Sequence, residues 1–252
     1  MFFEKIYISA FNVNIMVKLN KFEKQNLTAF SNDKSITVYN KYYLKPTEKY
    51  LINKYLFKNN KILDLGCGAG RTTIPLSKKF NVIGVDISET LINSAKQQSP
   101  SLFKVMDAKE LKFSDNTFDL VFFSFNGIDY LYPKKNRMKT VEEINRVLKS
   151  GGYFIYSSHN WLNFPFQIHR LKTLLTMLKN KFMFKKINYV KNKQSFGELI
   201  QFTGTVFNEI KTIKRKGFKY KEICSEGRFR GINNKYLVSL IDGHPHYVFQ
   251  KK

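Results

Sequence analysis

The chain has 252 residues, 43 % of them hydrophobic, and carries 43 Lys plus Arg against 19 Asp plus Glu, a formal charge of +24. That length and apolar content suit one large cored domain and exclude disordered, collagen-like and low-complexity classes. Its two cysteines, Cys67 and Cys224, are far apart, which excludes a disulfide scaffold and a CxxC metal site and makes a reducing, cytoplasmic life the default.

The basic surplus admits nucleic acid, an anionic membrane surface or an acidic substrate as partner. Lysine greatly outnumbers arginine and is spread from Lys5 to Lys252, alongside abundant Asn, Ile, Phe and Tyr. Phosphate recognition clusters charge and favours Arg forks, so this spread reads mainly as the composition of an AT-rich coding sequence. The densest runs, Lys134-Lys135, Lys185-Lys186 and Lys211 to Lys221, read as solvated helix faces and loops.

Met1 to Val17 is apolar but interrupted by Glu4, Lys5, Asn12 and Asn14, with no small-residue cleavage site, so it is a poor signal peptide. Residues 1–35 are read as an N-terminal extension of uncertain order. No apolar run approaches the roughly 18 residues of a spanning helix. The patterning then predicts helix Thr47–Phe57, strand Lys61–Leu65, helix Thr72–Lys79, strand Asn81–Val85, helix Glu89–Gln98 and strand Leu102–Met106. Phe118–Phe125 is nearly continuous in Phe and Val, the mark of a strand buried on both faces. In Lys134–Lys149, Met138, Val141, Ile144, Val147 and Leu148 form a helical stripe ended by Ser150-Gly151-Gly152, and strand Tyr153–Ser157 follows. Asn160 to Phe202, rich in Phe, Leu and Lys, is longer than a bare sheet needs and is read as a cap over the substrate side. Helix Thr205–Lys216 and strands Lys219–Cys224 and Tyr247–Lys251 complete the chain. This alternation predicts an α/β domain over 36–252, with a helix-covered sheet and a cap insertion at about 160–202.

Between the first strand and its helix lies Asp64-Leu65-Gly66-Cys67-Gly68-Ala69-Gly70. Its alternate glycines let the backbone turn tightly and approach a ligand with no Cβ in the way. A dinucleotide fold would want GxGxxG, whereas this loop is GxGxG, which disfavours a nicotinamide dehydrogenase. Asp86 ends the second strand, where a carboxylate can accept from both hydroxyls of a ribose.

Leu63 to Arg71, Val82-Ile83-Gly84-Val85-Asp86-Ile87-Ser88, Phe118-Asp119-Leu120-Val121 and Arg146 to Gly152 together resemble the ordered motifs of class I S-adenosylmethionine-dependent methyltransferases, of the small-molecule (ubiE, type 11) branch. The resemblance runs from about Tyr39 to the C-terminus. It implies a Rossmann-like seven-stranded sheet of order 3-2-1-4-5-7-6 with the last strand antiparallel, and S-adenosylmethionine as cofactor. It also implies that Gly66, Cys67, Gly68 and Gly70 hold the methionine moiety and that Asp64 orients its ammonium. Arg71 would pair with its carboxylate, Asp86 would take the ribose, and Ile87 would lie against the adenine. Asp107 and the Ala108 N–H would meet the adenine edge, Tyr42 or Tyr43 would cover the cofactor, and Ser124 would complete the pocket.

A sulfonium methyl is already electrophilic, so the protein must align an in-line displacement and exclude water, with a base only for a nucleophile that loses a proton. Candidates at the carboxyl ends of the fourth and fifth strands are Ser124, Asn126, Asp129 and Tyr130, then His159, Asn160 and Trp161. His159 is the best candidate base. Asn126 is followed by Gly127-Ile128 rather than the Pro-Pro-aromatic of nucleobase amino-methylating enzymes. His244 and His246, with no third ligand in view, read as flanking the last strand, and no metal site is expected. A small-molecule acceptor leads. RNA methylation, motivated by the charge, and a non-catalytic cofactor-binding module stand as alternatives.

Overall fold

The computed structural model describes residues 19–39, 41–162, 189–226 and 231–252. Among the described residues nine strands form two sheets: β1 (Lys61–Leu65), β2 (Asn81–Asp86), β3 (Phe103–Val105), β4 (Phe118–Phe123), β5 (Leu148–Ser157), β6 (Tyr189–Gln194), β7 (Gly197–Phe202), β8 (Phe218–Cys224) and β9 (His246–Lys251). The large sheet runs β3-β2-β1-β4-β5-β9-β8, with β9 antiparallel to both its neighbours and β3 to β5 mutually parallel, the order the sequence motifs imply. The β6–β7 hairpin stands apart as a two-stranded sheet.

Alternation along each central strand sends successive side chains into two cores. Leu63, Val121, Phe154 and Tyr156 join Val141, Ile144 and Val147 of helix Lys134–Val147 on one face. Ile62, Leu120, Phe122 and Ile155 meet Leu51 and Ile52 of helix Pro46–Tyr55 on the other. All are essentially fully buried. Hence the near-continuous apolar runs of β1 and β4.

Two boundaries shift for local reasons. β4 ends at Phe123 rather than Phe125, because Phe125 (φ 54°) and Asn126 (φ 59°) are left-handed and turn the chain out of the sheet. β5 begins at Leu148, directly after the helix, so Ser150-Gly151-Gly152 lies inside the strand, and a Cβ on Gly152 would come within 3.1 Å of the Asp119 carbonyl oxygen.

The largest difference lies before the domain boundary drawn at residue 36. Residues 1–18 are outside the described residues, but α1 (Lys21–Phe30) is a helix within the stretch read as an extension, and α2 (Asp33–Tyr39) runs across its boundary into the domain. Asn20 and Glu23 form a reciprocal capping box that starts α1: the Asn20 side chain accepts from the Phe22 and Glu23 N–H groups, and Glu23 accepts from the Asn20 N–H. Asn26 then fastens α1 to β7 by donating to the Ile200 carbonyl and accepting from its N–H, both at 2.8 Å. Of the cap expected at 160–202, Asn160–Leu162 and the β6–β7 hairpin are described, whereas 163–188, with Lys172, Lys179, Lys181, Lys185 and Lys186, lie outside the described residues.

Candidate active site

A cleft of about 180 Å³ opens at the carboxyl ends of β1, β2 and β4. Gly66, Cys67, Gly68, Arg71, Asp86, Ile87, Asp107, Ala108 and Ser124, all singled out in the sequence, line it. Gly66 (φ 66°) and Gly68 (φ 55°) adopt the left-handed turn that glycine permits. A Cβ on Gly68 would meet nothing nearer than Leu91 Cδ1 at 3.9 Å, so its bare backbone faces open space.

That turn delivers the Gly68 N–H to Asp86 Oδ2 (2.9 Å), while the Ser88 N–H donates to Oδ1 (2.9 Å). An ionised carboxylate offers about four lone-pair directions, so two remain for a vicinal diol. Burial pushes the Asp86 carboxyl up, opposed by the Ser88, Gly68 and Ile87 N–H groups. Asp107 accepts from the Lys109 N–H (2.8 Å) and lies 3.5 Å from Lys109 Nζ. These positions fit a nucleoside whose ribose meets Asp86 and whose base lies between Ile87 and Asp107.

Four expectations are corrected. Arg71 does not stand free for a ligand carboxylate: it forms a bidentate pair with the fully buried Glu48 (2.6 and 2.9 Å), donates to Ser124 Oγ (2.8 Å) and donates to the Tyr43 carbonyl (3.1 Å). Glu48 absorbs its charge; burial works against that carboxylate, but Arg71 holds it below its usual range. Gly70 (φ 92°) does not line the cleft but packs under it, where a Cβ would strike Phe103 at 2.8 Å. Asn126 turns away with the left-handed backbone; its N–H donates to Ser157 Oγ (2.9 Å), and its buried Oδ1 has no hydrogen-bond partner. Of Tyr42 and Tyr43, the two expected covers, neither is in the cleft wall; the Tyr43 ring lies over the Arg71 guanidinium at 5.3 Å.

Asp64 is buried beneath the loop, accepting from the Thr72 and Thr73 hydroxyls (2.6 Å for Thr73). It acts on the loop through these two threonines rather than by lining the cleft. Burial, opposed by those hydroxyls, pushes its carboxyl up to about 6. Because the folded value exceeds the ordinary 3.8, the fold favours the protonated form, and the Asp64 contribution to stability falls as pH rises from about 4 through 6. Asp64→Asn is expected to flatten the pH dependence of unfolding across that window, by about 3 kcal/mol. Urea titrations at stepped pH measure it; equal slopes for wild type and variant would refute the assignment.

Outside the cleft lining, Asp129 and His159 come together across the β4 and β5 ends. Asp129 is fully buried, and its Oδ2 meets both the His159 N–H (2.6 Å) and Nδ1 (2.8 Å), while Ser158 Oγ donates to Oδ1 (2.7 Å). In the neutral tautomer that donates from Nδ1 to the carboxylate, Nε2 carries the lone pair. Arg137 Nη2 stands 3.5 Å from Asp129 Oδ1 and 2.6 Å from Glu209 Oε2, closing a buried charge network. The Tyr130 ring, in the cleft wall, lies 6.3 Å from the imidazole. His246 starts β9 opposite Ser157, and the His244 ring lies 5.0 Å from that of His159. Among the described residues no group of three His, Cys, Asp or Glu is placed to hold a metal.

Sequence reasoning missed two contributors. Glu48 reads as an ordinary first-turn helix glutamate, and only tertiary packing shows it on Arg71. Helix α1 supplies Glu23, Asn26, Leu27 and Phe30 to the cleft, Leu19 lines it from just before the helix, and Glu23 accepts from Lys109 Nζ (2.7 Å) and Asn136 Nδ2 (2.7 Å). The Asn20–Glu23 capping-box spacing was the available signal.

Residues 62–152 match the methyltransferase domain family. A putative methyltransferase of Bacillus subtilis, YqeM, is 34 % identical over 114 residues, covering 43 % of this chain and 46 % of that protein. The demethylmenaquinone methyltransferase of Staphylococcus aureus is 40 % identical over 109 residues, 39 % of this chain and 42 % of that protein. The chain thus spans less than half the length of these two relatives. A crystal structure of a SAM-dependent methyltransferase from Methanosarcina mazei shares the fold, with a TM-score of 0.62 and 24 % identity over 82 % of this chain and 98 % of that one. Residues 62–152 thus match a methyltransferase domain, and the sheet order and glycine loop around them form a Rossmann-like fold shared with that S-adenosylmethionine-dependent methyltransferase.

Proposed function

We propose that the protein transfers the methyl group of S-adenosylmethionine to a hydroxyl of a small-molecule acceptor by in-line displacement. The observation that carries the reading is the Asp86 carboxylate, fixed by the Gly68 and Ser88 N–H groups with acceptor capacity still facing the cleft. The bound cofactor supplies an electrophilic methyl, so the protein need contribute only alignment, exclusion of water and removal of a proton. Gly66, Cys67 and Gly68 hold the amino-acid end; Asp86, Ile87, Asp107 and Ala108 hold the nucleoside; Ser124 supports the wall through Arg71. Asp64 sets the loop from beneath.

His159 acts as the base, with Asp129 holding the imidazole so that Nε2 accepts the acceptor's proton. This arrangement supports a protic nucleophile; the demethylmenaquinone named in the Staphylococcus relative supports a small-molecule acceptor without bearing on the acceptor atom. Two buried, unpaired cysteines suit a reducing, cytoplasmic setting.

Labelled S-adenosylmethionine incubated with the protein and separate small-molecule and RNA fractions of a cell extract tests the assignment. Label in the small-molecule fraction supports it, label confined to RNA replaces it with RNA methylation, and calorimetry showing no cofactor binding sinks it. Once an acceptor is in hand, His159→Gln is expected to lower kcat by about a hundredfold or more, with KM little changed.

A further inference from the structure

We propose that the face formed by helices Val206–Lys214 and Lys235–Ile241 docks the protein on an anionic lipid bilayer surface. Among the described residues, eight large apolar side chains are conspicuously exposed, and four of them gather on these two short helices: Phe207 at 42 %, Tyr236 at 62 %, Leu237 at 50 % and Leu240 at 49 %. The Phe207 and Tyr236 rings touch across the helices at 5.5 Å. Phe207, Ile210, Lys211 and Lys214 share one helix face at three- and four-residue spacing, and with Arg215 and Lys235 they border a shallow groove.

The charge around this apolar strip has one sign. Lys211, Lys214, Arg215 and Lys235 rim it, and neither helix offers an exposed acid: Glu209 is buried against Arg137, and the Lys235–Ile241 helix contains none. An apolar stripe edged by cations is the pattern of a segment that lies in the headgroup region, with cations on the anionic surface and apolar side chains below it. No described helix is long and apolar enough to cross the membrane, so the contact is superficial.

Two other occupants fit less well. A second copy of the chain would bring four cations against four. Nucleic acid would satisfy the cations and could stack on Tyr236 or Phe207, but would leave Leu237 and Leu240 in water. The surface also adjoins the acceptor side: Asn160 Nδ2 donates to the Ser239 and Asp242 carbonyls (2.8 Å each), and the Gly204 N–H, just before the first of these helices, donates to the His159 carbonyl (3.1 Å). Docking would therefore hold the His159 loop beside the bilayer. The proposal does not depend on the methyl-transfer reading, because vesicle binding is read without cofactor or acceptor.

Sedimentation of the intact protein with vesicles of phosphatidylcholine mixed with phosphatidylglycerol, against vesicles of phosphatidylcholine alone, is the test. Binding to the mixed vesicles only is expected, falling as salt is raised. Leu237→Ser/Leu240→Ser and Lys211→Glu/Lys214→Glu are each expected to reduce it at least about tenfold, with unchanged circular dichroism. Because these positions are exposed, both variants should fold. Equal binding to both vesicle types, or undiminished binding by either variant, overturns the proposal. So does absence of vesicle binding together with a dimer, or an RNA complex, that the same substitutions abolish.

Discussion

Replacing Asp86 by alanine is expected to weaken S-adenosylmethionine binding by about a hundredfold or more while leaving the protein folded. The ionised carboxylate is the group placed to accept from a ribose diol, and hydrogen bonds to a charged partner contribute about 1.5–3 kcal/mol each, so losing two reaches that range. The substitution also releases the Gly68 and Ser88 N–H groups, so the glycine loop loses the acceptor that shapes it. Stability should change little, because burial already pushes this carboxyl up and removing it relieves that desolvation. Asp86→Asn, which keeps one oxygen, should fall between the two. Titration calorimetry at a pH where Asp86 is ionised measures the change, with a melting curve as control; an unaltered Kd in a folded Asp86→Ala protein would remove the nucleoside assignment.

The second large effect concerns the buried charge network of Arg137, Glu209 and Asp129. Glu209→Ala leaves Arg137, a fully buried guanidinium, facing only Asp129 at 3.5 Å, and deprives the Tyr156 hydroxyl of its partner at 3.1 Å. Breaking one side of a buried ion pair costs about 3–5 kcal/mol, so the melting temperature should fall by roughly 10 °C. Arg137→Met/Glu209→Leu should recover most of that stability, since replacing both charges with apolar side chains of similar volume leaves no orphan. It should not recover transfer activity, because Asp129 would then orient His159 without its cation. If the double variant melts as low as the single one, the loss came from packing and the charge argument is wrong.

Helix α1 shows where local reading stopped. Its mean composition is polar, and nothing in Leu19 to Phe30 announces a cleft wall. Its role comes from Asn26 pairing with Ile200, 174 residues away, and from Glu23 reaching Lys109. Arg71 carries the same lesson. As the residue after the glycine loop it reads as a free cation, yet its contribution is set by Glu48, which lies on a separate helix and is brought under the loop only when both pack on the sheet. The Lys211 to Lys221 run, read as a solvated face, has its first turn beside Phe207, Tyr236, Leu237 and Leu240, and that neighbourhood too is made by two helices meeting.

The sheet order followed from the family resemblance, and the β6–β7 hairpin reads only as part of a cap; periodicity and motifs by themselves determined the strands of the large sheet, the glycine turn and the acidic residues at the ends of β2 and β3. Each depends on the backbone conformation of a few consecutive residues or on alternation along one strand, and so is local. Tertiary structure alone decided which charges are paired, which asparagine faces away, that His159 has Asp129 as its partner, and that the N-terminal helix walls the cleft. Those are properties of residues far apart in the chain, and burial fixes them by the cost of leaving any charge or hydrogen-bonding group unmatched.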